Sequence, residues 1–149
     1  MAPELFSHHG SYSQATDVYA FGIIMWEISS GDQPFGEIDH DFSLALSIVK
    51  GLRPEITNDT PPFYRDLLEK CWDPDPKKRP TAQEIYDSTE MWYNDPTQDI
   101  KDQINKAEEN RQSGMGIKKE TKTPHSGAIY TSRLMTKITH GKIFYSIFL

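Results

Sequence analysis

Between Asp17 and Ile28 the chain reads Asp-Val-Tyr-Ala-Phe-Gly-Ile-Ile-Met-Trp-Glu-Ile, apolar on nearly every face of a helix, with Gly31 behind it as a stop signal. A helix of that kind has no solvent side and must be surrounded by other elements. It does not suit a bilayer, because its most apolar part, residues 19–26, contains Gly22 and falls far short of the roughly 20 residues a span needs. The expectation is a soluble helical globule built around this segment.

The neighbouring stretches supply the other helices. Phe42, Ala45, Leu46 and Val49 recur at i, i+3, i+4, i+7, which predicts a short, half-exposed helix ended by Gly51. Tyr64, Leu67, Leu68 and Cys71 repeat that spacing behind Pro61-Pro62, where a proline suits the first turn because its missing N–H is not needed there. Trp72 closes this helix, and Asp73-Pro74-Asp75-Pro76 must turn tightly, since each proline lacks a donor and restricts the residue before it. Thr81 and Glu84 form a Thr-x-x-Glu capping box for a helix that carries Ile85, Ser88, Thr89 and Trp92 on one side and ends near Asn94.

Residues 95–112 predict one more amphipathic helix, with a thin stripe of Ile100, Ile104 and Ala107. Residues 113–149 are rich in Lys, Thr, Ser and Gly, without helical or strand periodicity, and predict a largely disordered tail.

Charge and residue usage narrow the function. Residues 1–94 carry 7 Lys/Arg against 16 Asp/Glu and residues 95–149 carry 9 against 6, so an acidic front, net −9, precedes a mildly basic end, net +3. That is not the clustered basic face that neutralises phosphates, which argues against nucleic-acid binding. The single Cys71 rules out an intramolecular disulfide and a cysteine-rich zinc site, and fits a reducing intracellular, cytoplasmic setting. No charged stretch followed by an apolar one opens the chain, so no signal peptide is expected.

His8-His9, His40, His125 and His140 lack metal-ligand spacing and read as solvated loop histidines. Gly114-Met115-Gly116 has neither the strand before it nor the helix after it that a phosphate loop requires. The closing Ile143–Leu149 run, with Lys142, gives only marginal membrane affinity.

Several short motifs stand in a fixed order: Ala2-Pro3-Glu4; Asp17-Val18-Tyr19-Ala20-Phe21-Gly22 with Trp26-Glu27; Pro34-Phe35; Gly51-Leu52-Arg53-Pro54; Cys71-Trp72-Asp73-Pro74; and Lys78-Arg79-Pro80-Thr81-Ala82. Together they resemble the closing third of a eukaryotic protein kinase domain of the tyrosine-kinase-like type, over residues 1 to about 93, from the Ala-Pro-Glu motif onward. The resemblance implies a mainly α fold, the truncated large lobe of the protein-kinase-like fold with helices F to I, and a poorly ordered tail. The partial kinase domain would then occupy residues 1–94, ahead of the helix at 95–112 and the tail at 113–149.

The resemblance also assigns roles. Glu4 pairs with Arg79 to tie the end of the activation segment to the lobe base, and Asp17 supports the catalytic loop. Ala2, Pro3, Gly22, Trp26, Cys71, Trp72 and Pro80 are structural motif residues, while Phe42, Leu44, Ser47 and Lys50 on the G helix form a possible docking surface.

The phosphate-handling parts of the family do not occur in the 149 residues: no Gly-x-Gly-x-x-Gly loop, no Val-Ala-x-Lys strand, no His-Arg-Asp loop with its Asn, no Asp-Phe-Gly. Hence no catalytic, ATP-binding or metal-binding residue is expected in this chain, which should be inactive and marginally stable alone. ATP and Mg would belong to the full-length parent, whose partner is a protein substrate or signalling protein. The alternative is a non-catalytic protein-binding module that uses the G-helix surface.

Overall fold

The Asp17–Ile28 segment forms the middle of helix α1, Gln14–Ser30, in a computed structural model that describes residues 1–6, 10–114 and 123–131 and the two short strands at 134–137 and 144–147. Ser13 caps α1, its backbone N–H donating to Thr16 Oγ1 at 3.2 Å. Gly31 ends the helix at φ 67°, a left-handed conformation open to glycine, with its N–H on Glu27 O at 2.8 Å. Four helices follow: α2, Phe42–Val49; α3, Pro62–Cys71; α4, Ala82–Asn94; and α5, Gln98–Gln112. Short 3₁₀ turns lie at Pro3–Phe6 and Pro76–Lys78. The fold class is the expected one, mainly α, with α1 to α4 in the order of helices F to I.

The core is the contact of α1 with α3. Val18, Tyr19, Met25 and Trp26 from α1 meet Leu67, Leu68 and Cys71 from α3, joined by Ala2, Leu5 and Trp72. Gly22 is why the two backbones come so close: a Cβ there would stand 2.8 Å from Cys71 Cβ and 3.3 Å from Leu68 O. Tyr64 Oη donates to Met25 O across the crossing at 3.0 Å, and Trp26 Nε1 ties α1 to the loop before α3 by donating to Glu55 O at 2.8 Å. One face of α1 finds no cover among the described residues, for Ile24 and Ile28 are 50% and 73% exposed.

The predicted stripe of α2 requires correction. Leu44, Ala45 and Ile48 are the buried positions, against the turn at Pro3–Phe6, while Phe42 and Val49 are exposed. Six of the eight residues of α2 are apolar, so periodicity alone cannot select the inward face. Leu44, placed on a docking surface by the sequence, is 8% exposed and belongs to the core.

In α5 the inward line is Ile100, Gln103, Ala107 and Asn110, and Ile104 is exposed. Gln103 faces inward because its Oε1 accepts the Phe63 N–H at 2.9 Å, one of the orphan donors of the first turn of α3. Asn110 Nδ2 donates to Asn58 O, and Arg111 pairs with Asp59 at 3.2 Å. Polar stitches thus make up for the thin apolar stripe.

The stretch beyond residue 112 carries structure that the composition does not announce. Residues 123–131 lie along the loop at 33–41, and β1, Leu134–Lys137, pairs antiparallel with β2, Phe144–Ile147, with Leu134 opposite Ile147 and Lys137 opposite Phe144. The absence of strand periodicity therefore misled at these two segments. A four-residue strand offers too few alternations to stand out from a Lys- and Thr-rich background.

Candidate functional site

The most organised polar cluster among the described residues centres on Arg79, which sits just before the Thr81/Glu84 capping box of α4. The rigid Asp-Pro-Asp-Pro turn puts it there. Asp73 Oδ1 accepts the Asp75 N–H at 2.8 Å, Asp75 Oδ1 accepts the Lys77 N–H at 3.0 Å, and the 3₁₀ turn that follows aims the arginine back into the fold. The Arg79 side chain is 0% exposed.

Glu4 answers Arg79 in the bidentate manner that suits a planar guanidinium. Nη1 donates to Oε1 at 2.7 Å and Nη2 to Oε2 at 2.8 Å, while Nη1 and Nε also donate to the carbonyls of Ala15 and Asp73 at 2.8 and 2.9 Å. Thr16 Oγ1, at the start of α1, adds a bond to Glu4 Oε1 at 3.3 Å. Burial pushes the Glu4 carboxyl up, but the hydrogen bonds from Arg79, a backbone hydrogen bond at Glu4 and the Arg79 charge, with a smaller share from Thr16, outweigh it and hold the group below its ordinary value.

Tyr19 lies between Arg79 and a second guanidinium, that of Arg53, with the two charge centres 5.1 and 5.0 Å from its ring centroid. Burial raises the Tyr19 phenol above its ordinary range, against the pull of both arginines. Arg53 is spent on main chain: Nε and Nη2 reach Trp72 O at 3.0 and 2.8 Å, and Nη1 reaches Ile48 O and Leu52 O. The sequence placed Arg53 only within a loop motif and Tyr19 only within an apolar helix. The signal for both was a polar tip inside an otherwise apolar run, which implies a buried partner.

The remaining sequence candidates divide by burial. Ala2, Pro3, Gly22, Trp26, Cys71 and Trp72 are buried around the cluster and Pro80 is half-buried beside it. Asp17 is exposed at the first turn of α1, without a side-chain hydrogen bond among the described residues. Phe42 and Lys50 are exposed and Ser47 is half-exposed, whereas Leu44 is buried.

His40 and His125 are not the lone solvated histidines the spacing suggested, since both contact residues distant in sequence or charged. His8, His9 and His140 lie outside the described residues. Among the described residues no group of three His, Cys, Asp or Glu is placed to hold a metal, and no helix is long and apolar enough to cross a membrane.

Chemically the cluster is an anchor. Both guanidiniums are engaged by carboxylate and carbonyl oxygens, and Cys71, the one thiol, is pushed up to about 11 by burial, far from a thiolate nucleophile at neutral pH. What the cluster does is tie Glu4 to a residue 75 positions away across the start of α1.

Comparison with known proteins agrees with this layout. The family described as protein tyrosine and serine/threonine kinase matches residues 1–89. A probable LIM domain-containing serine/threonine-protein kinase of Dictyostelium discoideum is 44% identical over 88 residues, 59% of this chain and 13% of that protein. The dual specificity protein kinase shkA of the same organism is 37% identical over 91 residues, 60% of this chain and 17% of that protein. A serine/threonine-protein kinase of Arabidopsis thaliana is 41% identical over 86 residues, 57% of this chain and 15% of its own. The chain spans less than a fifth of the length of each of these relatives.

Proposed function

Because the chain belongs to the protein tyrosine and serine/threonine kinase family, we propose that it is the closing part of the large lobe of a tyrosine-kinase-like protein kinase, working only with the remainder of that domain. The observation that carries this reading is the bidentate Glu4–Arg79 pair, which fastens the Ala-Pro-Glu segment to the base of the lobe. The exposed face of α1, with Asp17, Ile24 and Ile28, is the second support: it is the surface on which preceding elements of such a lobe would pack.

On this reading the parent transfers the γ-phosphate of ATP to serine or threonine of a protein substrate, with tyrosine as the alternative acceptor and Mg held by residues other than these, inside the cell. The 149 residues contribute no phosphate-binding loop, metal ligand or catalytic base, so alone they transfer nothing.

The test is a fusion in which the catalytic segment of the Dictyostelium LIM-domain relative is joined ahead of Ala2 and incubated with labelled ATP and a general protein acceptor. The fusion is expected to label the acceptor, and Arg79→Ala in the fusion to lower that labelling. The chain by itself is expected to be silent. Phosphate transfer by the chain alone, or a cooperatively folded fusion without transfer, would sink the reading.

The 50% exposed ring of Phe42 favours a second role, a protein-docking surface at Phe42, Ser47 and Lys50 of α2. In a pull-down, Phe42→Asp should abolish capture of a partner that docks there; capture indifferent to it counts against this surface.

A further inference from the structure

Residues 125–130 do not simply pass over the loop between α1 and α2; they bond to it through main chain at His125 and Gly127 and through side-chain bonds at Ile129 and Tyr130. The His125 N–H donates to Gly36 O at 2.8 Å and the His40 N–H donates to Gly127 O at 2.9 Å. A tight turn holds the segment in shape, with the Ala128 N–H on His125 O at 2.9 Å. Tyr130 Oη donates to Pro34 O at 3.2 Å, and its ring meets the His40 ring edge-on, 4.8 Å between centroids.

His40 stands between the two segments. Its Nδ1 is 2.9 Å from Ile129 O and its Nε2 3.2 Å from Phe35 O. Both partners are carbonyl oxygens, which only accept, so either neutral tautomer satisfies one of them and the doubly protonated ring satisfies both. His125 Nδ1 lies 3.1 Å from Asp39 Oδ1.

The surface under the segment is shaped for it. At Gly36 the fit under the Tyr130 hydroxyl is close, since a Cβ there would stand 3.1 Å from that oxygen. A Cβ on Gly127 would collide with the Asp39 carboxylate. Phe35 holds φ at 58°, a left-handed conformation that a bulky side chain seldom adopts. Ile129, Tyr130 and Thr131 form one wall of a cleft of about 430 Å³ whose other side includes Ile23 of α1 and Leu44 and Ile48 of α2, with Ile129 and Tyr130 themselves 40% and 43% exposed. Main-chain bonds that fix a segment's course, with side chains laid against an apolar wall, are one way a peptide is recognised.

We propose that residues 125–131 are a strap that acts as an internal peptide ligand, occupying in cis a peptide-binding face built by the loop at 33–41 and α2. Tethering gives the strap a high effective concentration, so it closes this face to other proteins until it is displaced. The proposal concerns this chain's own segment and does not depend on the kinase reading.

Amide exchange on the full chain, followed residue by residue, tests it. The His40 and His125 amides should exchange about tenfold more slowly than in an Ile129→Ser/Tyr130→Ala variant, the scale of one net hydrogen bond, while the Trp72 amide stays equally protected in both. A fluorescent peptide with the sequence of residues 123–131 should bind the variant and not the wild type. Equal exchange at His40 in the two proteins, or equal peptide binding, overturns the strap. Loss of His40 protection on dilution of the wild type would place the strap on a second copy and overturn the cis arrangement. Should the double variant also lose Trp72 protection, Tyr130→Phe decides: it removes only the bond to Pro34 O, and must speed exchange at His40 and His125 with Trp72 unmoved, or the proposal fails.

Discussion

At the scale of residues the decisive object is a charge buried with its counter-charge. Replacing Glu4 by alanine leaves the fully buried Arg79 guanidinium with carbonyl partners only, a loss of about 3 kcal/mol, at the lower end for broken buried pairs because the Glu4 side chain is itself 19% exposed. Urea unfolding of the full chain measures it; a loss below about 0.5 kcal/mol, the scale of an ordinary surface substitution, would mean the pair contributes nothing. The pair also sets an acid limit. The folded Glu4 carboxyl lies below its ordinary value, so the stabilisation is complete above the unfolded value of about 4.3 and is lost as pH falls through the lower, folded one. Thermal melts between pH 6 and pH 3 should therefore fall more steeply for the wild type than for Glu4→Gln. The sequence reached this pair only by family resemblance, because two charges 75 positions apart carry no local sign of contact.

At the scale of elements, Gly22 governs how closely α1 and α3 pack. A methyl group at this position gains about 1 kcal/mol of helix propensity but meets Cys71 Cβ at 2.8 Å, and overpacking of that kind costs about 1–3 kcal/mol. Gly22→Ala should destabilise the chain in denaturant melts, and a gain in stability would show that the crossing is looser than described. Helix ends were largely legible: Gly31, the Pro61-Pro62 start and the Thr81/Glu84 box each act through local geometry that neighbours in sequence suffice to specify. The half-buried stripe of Ile85, Ser88, Thr89 and Trp92 on α4 was legible for the same reason, with Trp92 set against the Phe63 ring at 4.8 Å. The inward faces of α2 and α5 were not. In α2 apolar residues lie on every side, and in α5 the inward Gln103 is chosen by an orphan N–H on another helix.

At the scale of the whole molecule, the α1–α3 core seals Cys71, which is 0% exposed and whose thiol burial pushes up to about 11. Alkylation of the native chain should therefore proceed only through opening of that core and accelerate with urea, as intact-mass measurement would show; prompt modification without denaturant would contradict a closed core. The open face of α1 leads to a further expectation. Ile24→Glu with Ile28→Lys should change the stability of this chain by no more than about 0.5 kcal/mol, since both side chains are already exposed, yet abolish phosphate transfer in the fusion, where preceding elements are proposed to cover them.

By itself the sequence determined the helices, their caps and the Asp-Pro-Asp-Pro turn, because these arise from residues a few positions apart. Only the tertiary structure decided which face of α2 turns inward, how Tyr19 comes to lie between Arg53 and Arg79, and that residues 125–130 bind the loop before α2. Each of those depends on partners brought together from distant parts of the chain, and buried polar groups accept whichever partner the fold delivers.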